Sequence, residues 1–314
     1  MNSKKTIVIT GAAGFIGSHT TDLFLEKGYN VVGIDSMTYA SNEENLAAAK
    51  KTGRFKLCKH DIRDTLCIEN ICQENDIEWI FNFAAETHVD NSIINIKPFI
   101  ESNIEGVASL LSICKNNQYK LFHISTDEVY GSLENGSFTE KDVLSPQNPY
   151  SATKASSEHL IKSYANTYGV DYTIVRPANN FGPRQNKEKF LPTILNSVFS
   201  NQKIPVYGDG MNIRDWLYVK DNASIIYEIW RLDTKNETFN ISCSNEMTNI
   251  DLIKEVSNYL EKDWKNLVNF VKDRKGHDKR YSINTDKLNR LLSLSKTPFS
   301  DALSDTIRFY RNII

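Results

Sequence analysis

No stretch of this chain approaches the roughly 18 consecutive apolar residues that a membrane-spanning helix needs. Its N-terminus, MNSKKTIVITGAAGF, enters a strand-like run at once, with no long apolar targeting segment before it. Neither sign of charge prevails. The 37 basic and 39 acidic side chains leave a formal net charge of −2, which argues against a basic surface for nucleic acid or anionic lipid. Cysteine is scarce: Cys58, Cys67, Cys72, Cys114 and Cys243 are odd in number and show no C-x-x-C spacing. That pattern speaks against a disulfide framework or a metal site and for reduced thiols in the cytoplasm. Repeats and low-complexity segments are absent too. What remains is ordinary for a soluble globular protein, with 40% hydrophobic and 24% charged residues. At 314 residues the chain is long enough for a substantial core and two lobes.

The runs KTIVITG, NVVGID, RFKLCKHDI, IEWIFNFAA, YKLFHIST and DYTIVRPA read as strands, with helical patterns between most of them. Strands alternating with helices predict an α/β fold with a doubly wound parallel sheet of Rossmann type, whose ligands bind beyond the carboxyl ends of the strands. After about Pro177 the pattern changes. NNFGPRQNKEKFLP is loop-like, IPVYGDG and RDWLYV suggest short strands, and ETFNIS predicts a late strand returning to the main sheet. The expected division is a dinucleotide-binding domain over 1–178 and about 216–242. A smaller substrate-binding lobe takes 179–215 and about 243–314, including DRKGHDKRYSINTDKL.

Gly11, Gly14 and Gly17 form G-x-x-G-x-x-G between the first strand and first helix. Missing Cβ atoms there allow a tight turn and close approach to a pyrophosphate, which the helix N-terminus attracts. Asp35 ends the second strand, where a carboxylate takes both ribose hydroxyls and repels a 2′-phosphate, favouring NAD over NADP. Asp61 and Ile62, after the third strand, are placed to bracket the adenine. Further on, Tyr150 and Lys154 stand four apart in a helical pattern that ends at Gly169, which puts both on one face. An ammonium and a bound nicotinamide there would lower the Tyr150 phenol and make it a usable base. In LFHISTDEVYGS, a strand ends in Thr126, Asp127 and Glu128. Adjacent carboxylates each disfavour the other's ionised form, a cost no strand end requires.

The glycine motif, Asp35 and Tyr150/Lys154 resemble the extended short-chain dehydrogenases/reductases that act on nucleotide sugars. DSMTYASNEENL, FNFAAETHVDNSI, STDEVYG, PYSATKASSEHL, RPANNFGPRQ, EKFLP, YGDGMNIRDWLYVKD and GHDKRYSI narrow the resemblance to the nucleotide-diphosphate-glucose 4,6-dehydratases, the dTDP-glucose enzymes nearest. It implies oxidation of the sugar at C4, elimination of water across C5 and C6, and hydride return to C6. Glu128 would be the base at C5, Asp127 the acid at C6, Thr126 a hydrogen bond near O4, and Tyr150 the base for the 4-OH. Epimerases of the family usually carry small or hydroxyl residues at the Asp127 and Glu128 positions. Related decarboxylases resemble TSEVYG, with serine at the Asp127 position. A protein that binds NAD without chemistry would lack the five catalytic side chains.

The same resemblance places Phe15, Ile16, Ser36, Met37, Thr38, Phe83, Ala84, Ala85 and Ser102 around NAD, with Asn180 at its nicotinamide end. Thr87, Asn179, Lys189, Phe190, Pro205, Val206, Tyr207, Arg214, Asn245, Arg274 and His277 would hold the sugar nucleotide. The Arg214 guanidinium suits a diphosphate, with an ion pair to Asp215 or another acid as the plain alternative. His88 and His123 have no task in this chemistry and read as structural. Two departures from the family pattern, Lys275 in DRKGHD and a shorter segment between Gly131 and Tyr150, bear on which sugar nucleotide is used. Thymidine against uridine, and glucose against N-acetylglucosamine, stay open. A homodimer is implied, pairing IKPFIESNIEGVASLLSICKNN and the Tyr150 helix with their copies in a four-helix contact, although an amphipathic helix also buries one face within a monomer.

Overall fold

The computed structural model describes residues 5–273 and 276–313. Its first six strands are β1 (Thr6–Thr10), β2 (Asn30–Ile34), β3 (Phe55–Cys58), β4 (Ile77–Asn82), β5 (Lys120–Ile124) and β6 (Tyr172–Pro177). Then follow β7 (Asn179–Phe181), β8 (Ile204–Tyr207), β9 (Ile213–Tyr218), β10 (Glu237–Ile241), β11 (Glu246–Thr248) and β12 (Val268–Val271). Seven strands form one parallel sheet in the order β10-β6-β5-β4-β1-β2-β3. Strand order reverses between β1 and β4, and the crevice outside their carboxyl ends is where a ligand belongs.

Both faces of the sheet are covered, so its strands carry buried apolar residues on both sides rather than on one. Ile7 and Ile9 of β1 join Phe24, Phe81, Phe122 and Phe239 in one core, while Val8 points to Val32, Ile80, Leu110, Leu121 and Ile174 in the other. Phe81 and Phe122 stack at 4.9 Å between centroids, and Phe24 meets Phe81 edge-on at 5.0 Å. Burying each such ring contributes about 1.5–3 kcal/mol.

The predicted late strand is β10, paired with β6 at the sheet edge. Part of the segment read as a loop is ordered: Asn179–Phe181 is β7, and Phe190 opens the Phe190–Phe199 helix. The second lobe holds a three-stranded sheet, β11-β9-β7, and a parallel pair, β12-β8, around Leu191, Ile194, Trp216, Ile253 and Ile307. Strand β9 pairs with β7 and β11, while its Leu217 packs in the first lobe's core, and the Val219–Arg231 helix that follows packs on the Phe15–Glu26 helix. The later chain crosses back. Ile283 pairs with Phe138, and Ile283 and Leu288 sit in the first lobe's core.

Candidate active site

The turn after β1 is shaped for a close ligand. Gly11 is left-handed at φ 66°, and a Cβ there would lie 2.7 Å from Ala84 N; a Cβ on Gly17 would lie 2.2 Å from Gly11 O. Any side chain at these two places would displace backbone, so the chain keeps an open cradle at the N-terminus of the Phe15–Glu26 helix. The adjoining cavity, about 230 Å³, is lined by Asp35, Ser36, Thr38, Asp61, Ile62, Phe83, Ala84, Ala85 and Ser102. Asp35 is held by its own loop, accepting from Ala13 N (2.9 Å), Met37 N (2.9 Å) and Ser41 Oγ (2.6 Å). Met37 does not line that cavity, and its amide donates to Asp35. Asp61 forks onto Arg63, which holds its carboxyl below the usual carboxylate value. Ser102 lies in a π-helical turn, Glu101–Glu105, of the kind that often marks a functional site. These residues fit a dinucleotide.

A second cavity of about 240 Å³ continues from Gly11, Phe15, Ile16 and Gly17 past Thr87 to Thr126, Asp127, Glu128, Tyr150, Lys154, Asn179, Asn180 and Lys189. The Pro149–Tyr168 helix brings in Tyr150 and Lys154. Asn148 caps it, accepting from Ser151 N at 2.9 Å, while Ser151 Oγ accepts from Asn148 N at 3.3 Å. Pro149 takes the first helical position and Gly169 ends the helix at φ 73°. Tyr150 and Lys154 share the face towards the cleft, as their spacing predicts. Lys154 Nζ donates to Ile124 O at 2.6 Å.

After β5 the chain turns into a short 3-10 segment, Asp127–Tyr130, which Thr126 caps by accepting from Glu128 N at 3.2 Å. Thr126 Oγ1 also donates to Asp127 Oδ1 at 3.2 Å, while Asp127 Oδ2 is buried without a partner among the described residues. Asn179 Oδ1 is a second such orphan. Buried polar atoms are almost always paired, so two orphans facing one cleft point to a ligand. Burial, then the charge of Glu128, drives the Asp127 carboxyl well above its ordinary value and favours the acid. Glu128 is itself reached by Asn148 Nδ2 and the Tyr281 hydroxyl, both at 3.4 Å.

The phenol stands high in this cleft. Burial, then Glu128 and Asp127, hold Tyr150 above its ordinary value, and only Thr126 opposes them. Burial brings Lys154 itself down to about 8. Without ligand charge in the cleft, the lysine does not make Tyr150 a phenolate. His123 brings its Nε2 to 3.3 Å from Lys154 Nζ. His88 caps the Val89–Ile94 helix, its Nδ1 accepting from Asn91 N at 3.4 Å.

The predicted substrate residues divide. Lys189 donates to Thr87 O (3.1 Å) and Oγ1 (3.3 Å), tying the second lobe to the first across the cleft. Asn180 is fixed by Asn222 and by Ala178 O. Arg214 is not paired with Asp215, whose carboxylate accepts from Ser242, Ser244 N and Asn245 N. Its guanidinium instead lies 4.2 Å from the Tyr281 ring centre and donates to Asp278 O. On β8, Pro205 and Tyr207 are exposed, but Val206 points into the second lobe's core, so only its backbone remains for a ligand. Phe190 packs on that core as well. Tyr207 reaches Asp90 at 3.4 Å and edges towards His277, which pairs with Asp273 at 2.6 Å. Arg274 and Lys275 lie outside the described residues. Sequence reasoning missed Tyr281 and Asn148 as neighbours of Glu128. Asn-Pro followed by Ser151 is a helix-start signal that could have found Asn148; Tyr281 carries no local signal.

A family model described as GDP-mannose 4,6 dehydratase matches residues 8–305. The chain belongs to the nucleotide-sugar 4,6-dehydratase family. A low-salt glycan biosynthesis protein of Haloferax volcanii is 38% identical over 97% of this chain and 98% of its own. A dTDP-glucose 4,6-dehydratase of Escherichia coli is 36% identical over 98% of this chain and 93% of its own. The dTDP-glucose 4,6-dehydratase DesIV of Streptomyces venezuelae, solved with NAD and TYD bound, superposes with a TM-score of 0.94 at 37% identity, covering 98% of this chain and 97% of that one. Family membership agrees with the cleft: a dinucleotide cradle, a tyrosine–lysine pair and adjacent carboxyls at one strand end.

Proposed function

We propose that the protein is an NAD-dependent hydro-lyase that converts dTDP-glucose to dTDP-4-keto-6-deoxyglucose. One observation carries this reading: a buried Asp127 held as the acid, one oxygen unpartnered, beside Glu128 in the cleft that holds Tyr150 and Lys154. NAD supplies the hydride acceptor and hydride donor. Tyr150 takes the 4-OH proton, and Lys154 and Thr126 hold that end of the sugar. Glu128 removes the C5 proton, which a C4 ketone acidifies. Asp127 gives its proton to the C6 hydroxyl as it leaves, because hydroxide is a poor leaving group and water is not. Asn179, Lys189, Arg214 and the exposed side of β8 face the nucleotide diphosphate. The thymidine assignment rests on the dTDP-glucose relatives at about 36% identity.

The protein pairs as a homodimer through the Gly106–Asn117 and Pro149–Tyr168 helices, which lie side by side. The exposed Ile93, Ile94, Ile96 and Ile100 beside them favour a covered surface. Five free cysteines suit a reducing compartment, the cytoplasm, and no helix of the described chain is long and apolar enough to cross a membrane. The test is incubation with dTDP-glucose, UDP-glucose and UDP-N-acetylglucosamine, each followed by mass spectrometry. Loss of one water from dTDP-glucose fastest, without net release of reduced nicotinamide, is the expected result. An unchanged mass with a new stereoisomer would instead make the protein an epimerase.

A further inference from the structure

Behind the Tyr150–Lys154 pair the sheet carries polar side chains where apolar ones would pack. Thr10, Asn82 and His123, from β1, β4 and β5, are all buried to within 1% of fully enclosed. Thr10 Oγ1 lies 2.7 Å from Asn82 Oδ1, Asn82 Nδ2 lies 3.1 Å from His123 Nδ1, and His123 Nε2 lies 3.3 Å from Lys154 Nζ. Burying polar groups costs stability unless each finds a partner, and here the partners form a single file ending on one amine. Folding alone does not call for it: Val8, Ile80 and Phe122 on the same strands pack without any.

We propose that His123 is a positioning residue for Lys154, its imidazole accepting one ammonium N–H so that the remaining one faces the cleft. An ammonium has three N–H groups. Ile124 O takes one from beneath, His123 Nε2 takes the second, and the third is left for Tyr150 and the ligand. For Nε2 to accept, the ring proton sits on Nδ1, and the Asn82 amide turns over so that its oxygen rather than Nδ2 faces that proton. The two ends of that amide are interchangeable, and the Thr10 hydroxyl serves either orientation as donor or acceptor. Burial and the neighbouring lysine hold the His123 ring well below its ordinary value, so it stays neutral and free to accept.

Burial works against the charge on Lys154, bringing it to about 8, and Glu158 one turn along the helix works for it. Glu158 is itself bound by Arg176 and Ser125. Tyr150 stands one turn before Lys154, with Asp127 and Glu128 across the cleft floor. Losing the His123 acceptor therefore removes a direct support of the ammonium.

This inference rests on the reading of Tyr150 and Lys154 as the pair that handles the 4-OH proton. Its test measures reduced nicotinamide formed in single turnovers of the full chain with NAD and dTDP-glucose, as a function of pH. The wild-type rate falls as pH rises through the Lys154 value. His123→Phe, similar in bulk but without an acceptor, is expected to move that alkaline limb down by about one pH unit and to cut the rate at the wild-type midpoint about fivefold. His123→Gln, whose amide oxygen accepts, should return the limb towards the wild type. Asn82→Leu, which frees the ring proton's site, should shift it the same way by less, and keeps the question open to test if His123→Phe does not fold. A folded His123→Phe or Asn82→Leu protein with the wild-type limb and rate would overturn the inference. Lys154→Met separates the two layers. If it still reduces NAD at the wild-type rate, the Tyr150–Lys154 reading fails first; if it is inactive while His123→Phe is unaffected, only the role of His123 falls.

Discussion

The two ends of the cleft are built to different standards. Around β5, Asp127 and Lys154 are each 3% exposed and Tyr150 6%, and they are held by a capped turn and a capped helix. At the rim, Tyr207 is 41% exposed, and its hydroxyl reaches Asp90 at 3.4 Å. The difference follows from what each end must do. Removing water is what raises the Asp127 carboxyl and brings Lys154 down, so the buried end sets proton affinities. The rim, in the proposed function, has only to recognise a nucleotide, and polar contacts can do so while wet. On the proposed reading, rate belongs to one end and specificity to the other.

That contrast breaks if the buried end tolerates change. Tyr150→Phe keeps the ring and loses the hydroxyl; the rate of NAD reduction on dTDP-glucose is expected to fall about 10²–10⁴-fold, the range of general base catalysis, with nucleotide binding by calorimetry nearly unchanged. Asp127→Asn should be next. It forms reduced nicotinamide but loses most dehydration, by about 10²-fold or more, so stopped-flow absorbance shows a persistent intermediate. Its stability has a sign as well. The folded carboxyl keeps its proton above the ordinary value of 3.8, so the wild type loses stability as pH rises from there to the raised value. Asp127→Asn has no such proton and should lack that decline in thermal midpoint, while wild-type dehydration weakens through the same rise. Tyr207→Phe, at the rim, sharpens the comparison by its smallness. A change within about twofold in KM for dTDP-glucose is expected, and a tenfold effect would move the rim into the tightly built part of the site.

Much of the buried end is legible in the sequence because it is local. STDEVYG places three functional side chains within one turn, and the spacing of Tyr150 and Lys154 carries its own geometry. What the sequence hides is what lies across strands or lobes. His123 has an apolar neighbour on either side, and nothing near it announces Lys154. Tyr281 reaches Glu128 from the far end of the chain. Val206 was assigned to the ligand, yet the alternation along β8 turns it inward. Tyr150 shows a subtler gap: its spacing from Lys154 is local, whereas the burial and the two carboxylates that hold its phenol high come from the fold.

The return of the chain through Phe138 and Ile283 has a consequence for how the molecule comes apart. Arg280 donates to Gly136 O and to Glu246, and Lys287 reaches Thr238 O and Glu237 on the edge strand β10. The second lobe is therefore sewn into the first rather than hinged beside it. Cutting the chain after β10 would strip Ile283 and Leu288 from a core they help to fill. The lobes should melt as one cooperative unit, and neither should persist as a fragment.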